Sequence, residues 1–432
     1  MGGFNMKLKP YSKYKDSGIQ WIGKIPEGWE VRKVKNFSFS VAGGTPNTNN
    51  LSYWDGKIPW LPSGLIHNNP IHEKDVETFI TFEGLNNSST KWIKSDSILI
   101  ALTGATCANI AYLTFKATAN QSVIGIECDN KTFPKYIFYY LLSQREQILL
   151  NQTGGAQAGI NKEDVKNLIC AYPDKKEQTA IANFLDEKTS KIDQIIEKDK
   201  KLIALFKEKK TALINHAVTK GLNPDARMKD SGIEWIGKIP EGWEVERYKI
   251  RFRYIKGKIP ENLEETKEEG YLPYLSMEYL RGNQEGISYA NDPKSIKVSE
   301  GNLLLLWDGS NAGEFVLGKN GYLSSTMVKL NVENINPKFS WYLCKSFESL
   351  LRDLTIGMGI PHVNGDVLGN IRIPIPNHKG QTAIANFLDQ ATPRIDKTIK
   401  LTEKKINLLE EYKKSLIHNV VTGTVDVRGA VA

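Results

Sequence analysis

Residues 15–31 read KDSGIQWIGKIPEGWEV, and residues 229–245 read KDSGIEWIGKIPEGWEV. One position differs, Gln20 against Glu234, at a fixed offset of 214 (229 − 15). A second pair follows: QTAIANFLD stands at 178–186 and again at 381–389, an offset of 203 (381 − 178). That match runs without a gap to Val218-Thr219 and Val421-Thr422, with 22 of 42 aligned residues identical, and Pro173 matches Pro376 just upstream. Self-similarity on this scale organises a fold before any local signal does. The offsets differ by 11 (214 − 203), so length varies only between the two motifs, over about 32–172 and 246–375, and those stretches are largely unlike. The chain is a box, a variable block and a helical segment, written twice. Shared boxes point to a common scaffold and divergent blocks to two different recognition tasks. Duplicated modules without that division of labour are the plainer alternative.

The composition fits this reading. Of 432 residues, 40% are apolar and 25% charged, a globular balance that excludes bulk disorder and fibrous repeats, and the length fits two or three domains. No run approaches the ~18 apolar residues of a membrane span. The opening MGGFNMKLKPYSK has neither the apolar core nor the cleavage site of a secretory leader. A cytoplasmic location, without a membrane, is expected. The net charge of +8 (57 basic minus 49 acidic) permits a polyanion partner such as nucleic acid. The four cysteines, Cys107, Cys128, Cys170 and Cys344, form no CxxC pair and stand at no ligand spacing from histidine. Neither zinc nor a disulfide framework is expected, and the thiols are read as buried and reduced.

Each helical segment begins with capping chemistry. Asp174 with Glu177 fits an N-cap and capping box. The reading is a short helix to about Lys188 and then a fresh start near Ser190. In the second copy Thr392-Pro393 occupies that place, and a proline is at home in the first turn of a new helix. The long helices then cover about 191–219 and 394–422. The apolar stripes include Ile192, Leu202, Phe206 and Leu213 in one copy and Ile395, Ile406, Leu409 and Leu416 in the other. Their 3–4 spacing suits helix-on-helix packing, with mixed charges on the solvated face. The natural partner of each helix is its own repeat, antiparallel to it. About 30 residues make a rod of roughly 45 Å, comparable with one turn of B-DNA at about 34–36 Å. The pair serves as a ruler between two globular blocks or as a plain strut. The tail after Thr422 mirrors the stretch after Thr219 and stops where a third box would start. The N-terminal box is therefore expected beside the C-terminal helix, in a circular arrangement.

Both variable blocks carry short β-like runs bounded by Gly, Asn and Ser: 97–102 with 122–126, and 301–307 with 326–330. Each adds one helix, over 134–147 and 338–351. Each block is read as a compact α/β domain. Three features could face a nucleic acid. The first is the turn after the buried strand, with Thr103 and Thr106 in one block and Asp308, Ser310 and Asn311 in the other. The second is the loop with Trp60, Ser63, His67 and Asn68, matched by Tyr274, Ser276 and Arg281. The third is a Gly-rich loop with Gln157 in one block and His362 in the other. Amides, hydroxyls and Arg side chains read base edges, and backbone amides suit phosphates; ordinary turn chemistry is the alternative at each position.

Motifs for catalysis are missing. There is no GxxxxGK[ST] loop and no glycine fingerprint after a strand for a dinucleotide or S-adenosylmethionine. Asn336-Pro337-Lys338-Phe339 resembles the Asn-Pro-Pro-aromatic loop of amino-methylating enzymes, but Lys338 breaks it. Glu265-Thr266-Lys267 resembles a nuclease Glu-x-Lys but lies in a charge run without a supporting carboxylate.

Taken together, the doubled GIxWIGKIPEGWEV box at 18–31 and 232–245 and the doubled QTAIANFLD helix start resemble the specificity subunit of type I restriction–modification enzymes, over essentially the whole chain. Asn120-Gln121-Ser122-Val123 and Gly159-Ile160-Asn161 resemble the first target-recognition domain of such proteins; the second block departs, with Leu323-Ser324-Ser325-Thr326 in the former place. The resemblance implies an α/β fold. A first target-recognition domain with its box covers 1–172 and a first helical region 173–221. The second pair covers 222–375 and 376–432. It implies that each domain reads half of an asymmetric, bipartite site in double-stranded DNA, with Gln121 and Ser325 among the candidate contacts. The paired helices would form a coiled coil that sets the spacer. It implies partners that carry the chemistry: two methyltransferase subunits using S-adenosylmethionine, and motor-nuclease restriction subunits using ATP and Mg²⁺. No cofactor or metal is expected in this chain. A protein-binding scaffold, or a methyltransferase or nuclease acting alone, are the competing readings.

Overall fold

A computed structural model describes residues 9–150, 159–357 and 361–429. The chain divides into two compact units, Met1–Asp199 with Lys404–Ala432, and Lys200–Glu403. Both cuts fall inside a long helix, so each unit holds half of each.

The box folds the same way twice. In the first unit Tyr14–Asp16 pairs antiparallel with Lys24–Pro26, and in the second Met228–Ile233 pairs with Gly237–Pro240. The KDSG turn is closed by its own side chains: Asp16 Oδ1 accepts from Gly18 N and Asp230 Oδ1 from Gly232 N, both at 2.8 Å. Such Asx turns explain why the motif needs Asp two residues before Gly. Ile25 and Ile239 are buried beneath the hairpins. The chain then runs into Glu30–Lys33, paired with Ile169–Tyr172, and in the second copy Glu244–Arg247, paired with Arg372–Ile375.

The variable block of the first unit is built on a five-stranded sheet. Its order is Ser38–Ala42, Val123–Cys128, Ser97–Ala101, Ile110–Leu113 and Pro70–Ile71, antiparallel except for the last pair. The second unit has four strands: Phe252–Lys256, Met327–Val332, Leu303–Leu306 and Phe315–Leu317. The central pairings are those the apolar runs predict, Ser97–Ala101 with Val123–Cys128 and Leu303–Leu306 with Met327–Val332. Ser97–Ala101 and Leu303–Leu306 are buried throughout, as continuous apolar runs covered on both faces must be. A second sheet accompanies each, of three strands in the first unit and four in the second. The single helix expected in each block is two: Pro134–Ser143 then Arg145–Leu149, and Pro337–Ser346 then Glu348–Asp353. Gln144 and Phe347 fall between them with φ/ψ near −101°/9° and −112°/10°, outside the helical region.

The helical segments depart from the sequence reading in one respect. No break occurs near Ser190 or Thr392: Lys175–Lys220 and His378–Val421 are each one α-helix, and Pro393 lies inside the second. An internal proline costs about 3 kcal/mol in an isolated helix. Here a packed seam outweighs that. Leu185, Thr189, Ile192, Ile196, Asp199 and Ile203 are buried at alternating spacings of four and three residues, the heptad pattern of a coiled coil. The stripe passes straight through the position of the expected turn. The second helix repeats it, with Leu388, Thr392, Ile399, Thr402, Ile406, Leu416 and Val420 buried and Ile395 and Leu409 half-buried. Phe206 and Leu213 are half-buried on the first helix. Leu202, expected in the seam, is 40% exposed; Ile203 takes the seam position and Leu202 lies one residue, about 100°, around the helix. The helices run antiparallel within each unit. In the first, Lys413 reaches Asp193 and Lys405 reaches Asp199; in the second, Lys210 reaches Asp396.

The start of each helix explains the QTAIANFLD box. Asp174 caps the first helix, accepting from Glu177 N at 2.9 Å. The return bond of a capping box is replaced, since Glu177 Oε1 instead accepts from Tyr11 Oη at 2.7 Å. Gln178 is fully buried; its amide accepts from Phe133 N at 2.7 Å and donates to Pro173 O at 2.8 Å. Gln381 does the same with Asn336 N and Pro376 O, both at 2.8 Å. The closing Asp of the box accepts from a tyrosine and a lysine of the block helix: Asp186 from Tyr139 (2.8 Å) and Lys135, Asp389 from Tyr342 (2.8 Å) and Lys338 (2.6 Å). Burial pushes the Tyr342 phenol up to about 12, with the bond to Asp389 adding to the rise, so it stays a donor. The repeated motifs are thus the wiring between block and helix.

The circular arrangement holds. Gly423, at φ 75° after the second long helix, lies against Trp29 and Pro26 of the first box, as Gly221, at φ 79°, lies against Trp243 and Pro240 of the second. Tyr14 Oη donates to Gly423 O at 3.1 Å, and Lys9 pairs with Asp426. Among the described residues no helix is long and apolar enough to cross a membrane. The cysteines are free: Cys107, Cys170 and Cys344 are buried, and Cys128 is only half-buried.

Candidate nucleic-acid interface

In each unit, loops from distant parts of the block meet at one end of the sheet. In the first unit, the strand Ser97–Ala101 ends in the turn at Thr103. Thr103 bridges to Gly159, and Ile160 N donates to Leu102 O at 2.9 Å. Thr103 Oγ1 also donates to Ser122 Oγ at 3.0 Å. The loop 43–45 joins them, with Thr45 Oγ1 donating to Gln121 Oε1. Asn109, at the end of the turn, donates to Ile66 O at 2.8 Å, which ties in the Ser63–Asn68 loop. Gln121, His67 and Thr103 are exposed on this rim, and Ser63 and Thr106 are half-buried. Two expected contacts are engaged inside the domain instead. Trp60 is 9% exposed and its indole N–H donates to Gly44 O at 2.9 Å. Asn68, at φ 62°, accepts from Ile110 N at 2.9 Å. Gln157 lies outside the described residues.

The second unit assembles the equivalent loops with different chemistry. Asp308 bridges to His362, and Val363 N donates to Trp307 O at 2.8 Å. The Asp308 carboxylate accepts from Lys256 Nζ at 2.9 Å. Arg281 Nη2 meets Glu314 Oε2 at 2.6 Å, joining the Tyr274–Arg281 loop to the turn. Tyr274 Oη accepts from Ser325 N at 2.9 Å and lies 3.3 Å from its Oγ. Ser276 caps the short helix Met277–Leu280, accepting from Tyr279 N at 3.2 Å. Ser310 and Arg281 are exposed, and Asn311 and His362 half-buried. The first rim is made mainly of amides and hydroxyls, with Arg145 Nε donating to Asn109 Oδ1 at 3.1 Å, and the second carries paired charges. These are the side-chain types that read base edges in the major groove.

The sequence reading missed Gly43 and Gly257, which make both rims possible. A Cβ on Gly43 would overlap the carbonyl oxygen of Asn120, and one on Gly257 that of Ser324. A signal existed: Gly43 and Gly257, like Pro46 and Pro260, keep the 214-residue offset of the box. Lys256 was missed too, because its repeat position is Ala42. Among the described residues, no group of His, Cys, Asp or Glu side chains is placed to hold a metal ion.

Two copies of one scaffold, each presenting a chemically distinct polar rim, define a double-headed recognition protein. The chain belongs to the family described as the type I restriction modification DNA specificity domain, which it matches twice, over residues 26–205 and 240–411. It is 43% identical over 187 residues to the type I restriction enzyme MjaVIII specificity subunit of Methanocaldococcus jannaschii, a match spanning 43% of each chain. The putative MjaX specificity subunit of the same organism is 25% identical over 94% of this chain and 96% of its own. In fold, the chain is similar to one in a solved structure concerning complex assembly and conformational transition of the type I R-M system. The TM-score is 0.70 at 15% identity, over 93% of this chain and 99% of that one.

Proposed function

We infer that this chain is the non-catalytic DNA-sequence-specificity subunit of a type I restriction–modification complex. Each unit reads one half of an asymmetric, bipartite site in double-stranded DNA. The observation that carries this is the pairing of a repeated scaffold with unlike rims: amides and hydroxyls around Thr45, Thr103 and Gln121, and ion pairs around Lys256, Asp308 and Arg281. Unlike rims read unlike half-sites, so the site is not a palindrome. The paired helices set the unspecified spacer and dock two methyltransferase subunits. Those partners bind S-adenosylmethionine and methylate adenine, and motor-nuclease subunits use ATP and Mg²⁺. This chain contributes the address and holds no cofactor. Such a complex works in the cytoplasm, where the DNA is.

The test is an exchange of residues 32–172 for the corresponding block of a relative, followed by co-expression with the methyltransferase subunit and mapping of methylated adenines in host DNA. A split motif in which one half changes and the other is retained is expected. Retention of both halves, or methylation with no motif, would overturn the reading in favour of a protein-binding scaffold.

A further inference from the structure

The rim of the second unit contains an ion pair with no counterpart among the described residues of the first. Lys256 is the last residue of the strand Phe252–Lys256, held in register opposite Val328. Asp308 is fixed from both sides, its N–H donating to Thr326 O at 3.2 Å and its backbone bridged to His362. Nζ and Oδ2 are 2.9 Å apart, with the side chains 49% and 31% exposed. At the equivalent places the first unit has Ala42 and Thr103. A pair this exposed adds little to stability, since solvent screens it. Its two ends nevertheless stand on backbone that is hydrogen-bonded to neighbouring segments.

Resting on the interface proposed above, we propose that Lys256 and Asp308 together read one guanine·cytosine pair in the second half-site, through the major groove. A lysine ammonium only donates, and guanine alone among the bases offers two major-groove acceptors, N7 and O6, with no donor beside them. A carboxylate only accepts, and the cytosine N4 amino group is a donor it can meet. The two base atoms addressed, guanine O6 and cytosine N4, are hydrogen-bonded to each other at about 2.9 Å, the separation already set between Nζ and Oδ2. The protein pair thus presents a donor and an acceptor at the spacing of the acceptor and donor on the base pair. An adenine in the guanine place would set its N6 donor against the ammonium. Pre-pairing also neutralises a carboxylate that would otherwise face the phosphates uncompensated, and it orders both side chains before DNA arrives.

The experiment uses the full chain co-purified with its methyltransferase partner and a duplex DNA library with both half-sites randomised. The wild type is expected to select a G·C pair at one position of the second half-site. The double variant K256A/D308T, which installs the first unit's residues, is expected to lose that preference about ten- to a hundredfold at that position alone. The first half-site should be unchanged. D308N preserves side-chain shape and should relax the same position, so a folding defect in the double variant does not decide the outcome. An unchanged consensus in both variants, or no G·C pair in the wild-type second half-site, would overturn the proposal. Exchange of residues 246–375 separates the two levels. If the exchange rewrites the second half-site while the point variants do not, the role of the ion pair fails alone; if the exchange leaves it intact, the interface itself is misplaced.

Discussion

Asp193 and Lys413 meet across the two long helices, with Nζ 2.7 Å from both carboxylate oxygens. Their repeat equivalents, Asp396 and Lys210, meet at the same 2.7 Å with the helices' roles exchanged. Within each unit such a contact fixes the axial register of the two antiparallel helices. Asp199, buried in the seam and paired with Lys405 at 2.8 Å, has Thr402 as its repeat equivalent and so breaks the duplication once.

That register carries a prediction about spacing. Seven residues inserted at equivalent points in both helices preserve the heptad phase and add about 10.5 Å of helix. At 3.4 Å per base pair, the tolerated spacer should grow by about three pairs, measured by mapping methylated sites. An unchanged spacer would remove the helices from the role of ruler. Seven residues deleted from one helix alone should instead lower stability, because the buried stripes of the two helices no longer match.

Gly43→Ala should damage the first rim and Gly257→Ala the second. Each added Cβ would overlap a carbonyl oxygen in the neighbouring loop, and the backbone must move to relieve it. A cost of about 1–3 kcal/mol is expected, read as a fall in Tm of the order of 2–4 °C per kcal/mol for a unit of about 200 residues. Each variant should impair recognition of its own half-site only; equal damage to both would show that the glycines act through the scaffold.

Gln178→Leu should be among the more costly changes in the helical box. It strands the Phe133 N–H and the Pro173 carbonyl in the interior, at about 1–3 kcal/mol each. The denaturation midpoint should drop sharply. Lys191→Ala, which removes an exposed pair with Glu187, should leave the midpoint nearly unchanged, since solvent screens such a pair.

The thiols should be slow to react in the folded protein. Burial pushes Cys170 and Cys344 well above the usual thiol range, and Cys128 up to about 12 through burial and then the neighbouring Asp129. At pH 8 a thiol with that value is ionised to about one part in ten thousand, and only the thiolate attacks. A thiol reagent should modify Cys128, Cys170 and Cys344 readily after denaturation and hardly at all before it. Fast labelling of Cys128 in the native state would contradict its placement.

Much of the scaffold was legible because repetition exposes it. Box, block and helix are visible as identity at two offsets, and the apolar runs of the central strands name their own partners. The proline at 393 misled because a local rule was applied where a packed seam decides: the buried residues from Leu185 to Ile203 run through the expected break without losing phase. Asn68 was legible as a loop residue, whereas Trp60, read as part of a loop, lies in the strand Trp54–Leu61; in neither was it legible that the polar group is turned inward. That depends on Gly44 and Ile110 lying beside them, and neither is a neighbour in sequence.

By itself, then, the sequence determined that one scaffold occurs twice and that its two variable blocks differ. These are statements about local chemistry, such as an Asx turn, a helix cap or a heptad stripe, and local chemistry is written where it acts. Only the tertiary structure decided which loops share a rim, that Thr103 meets Gly159 while Asp308 meets His362, and that Lys256 stands beside Asp308. Those meetings follow from strand register across the sheet, where a shift of one residue turns every side chain to the opposite face. Register is fixed by the packing of the whole block rather than by any segment within it.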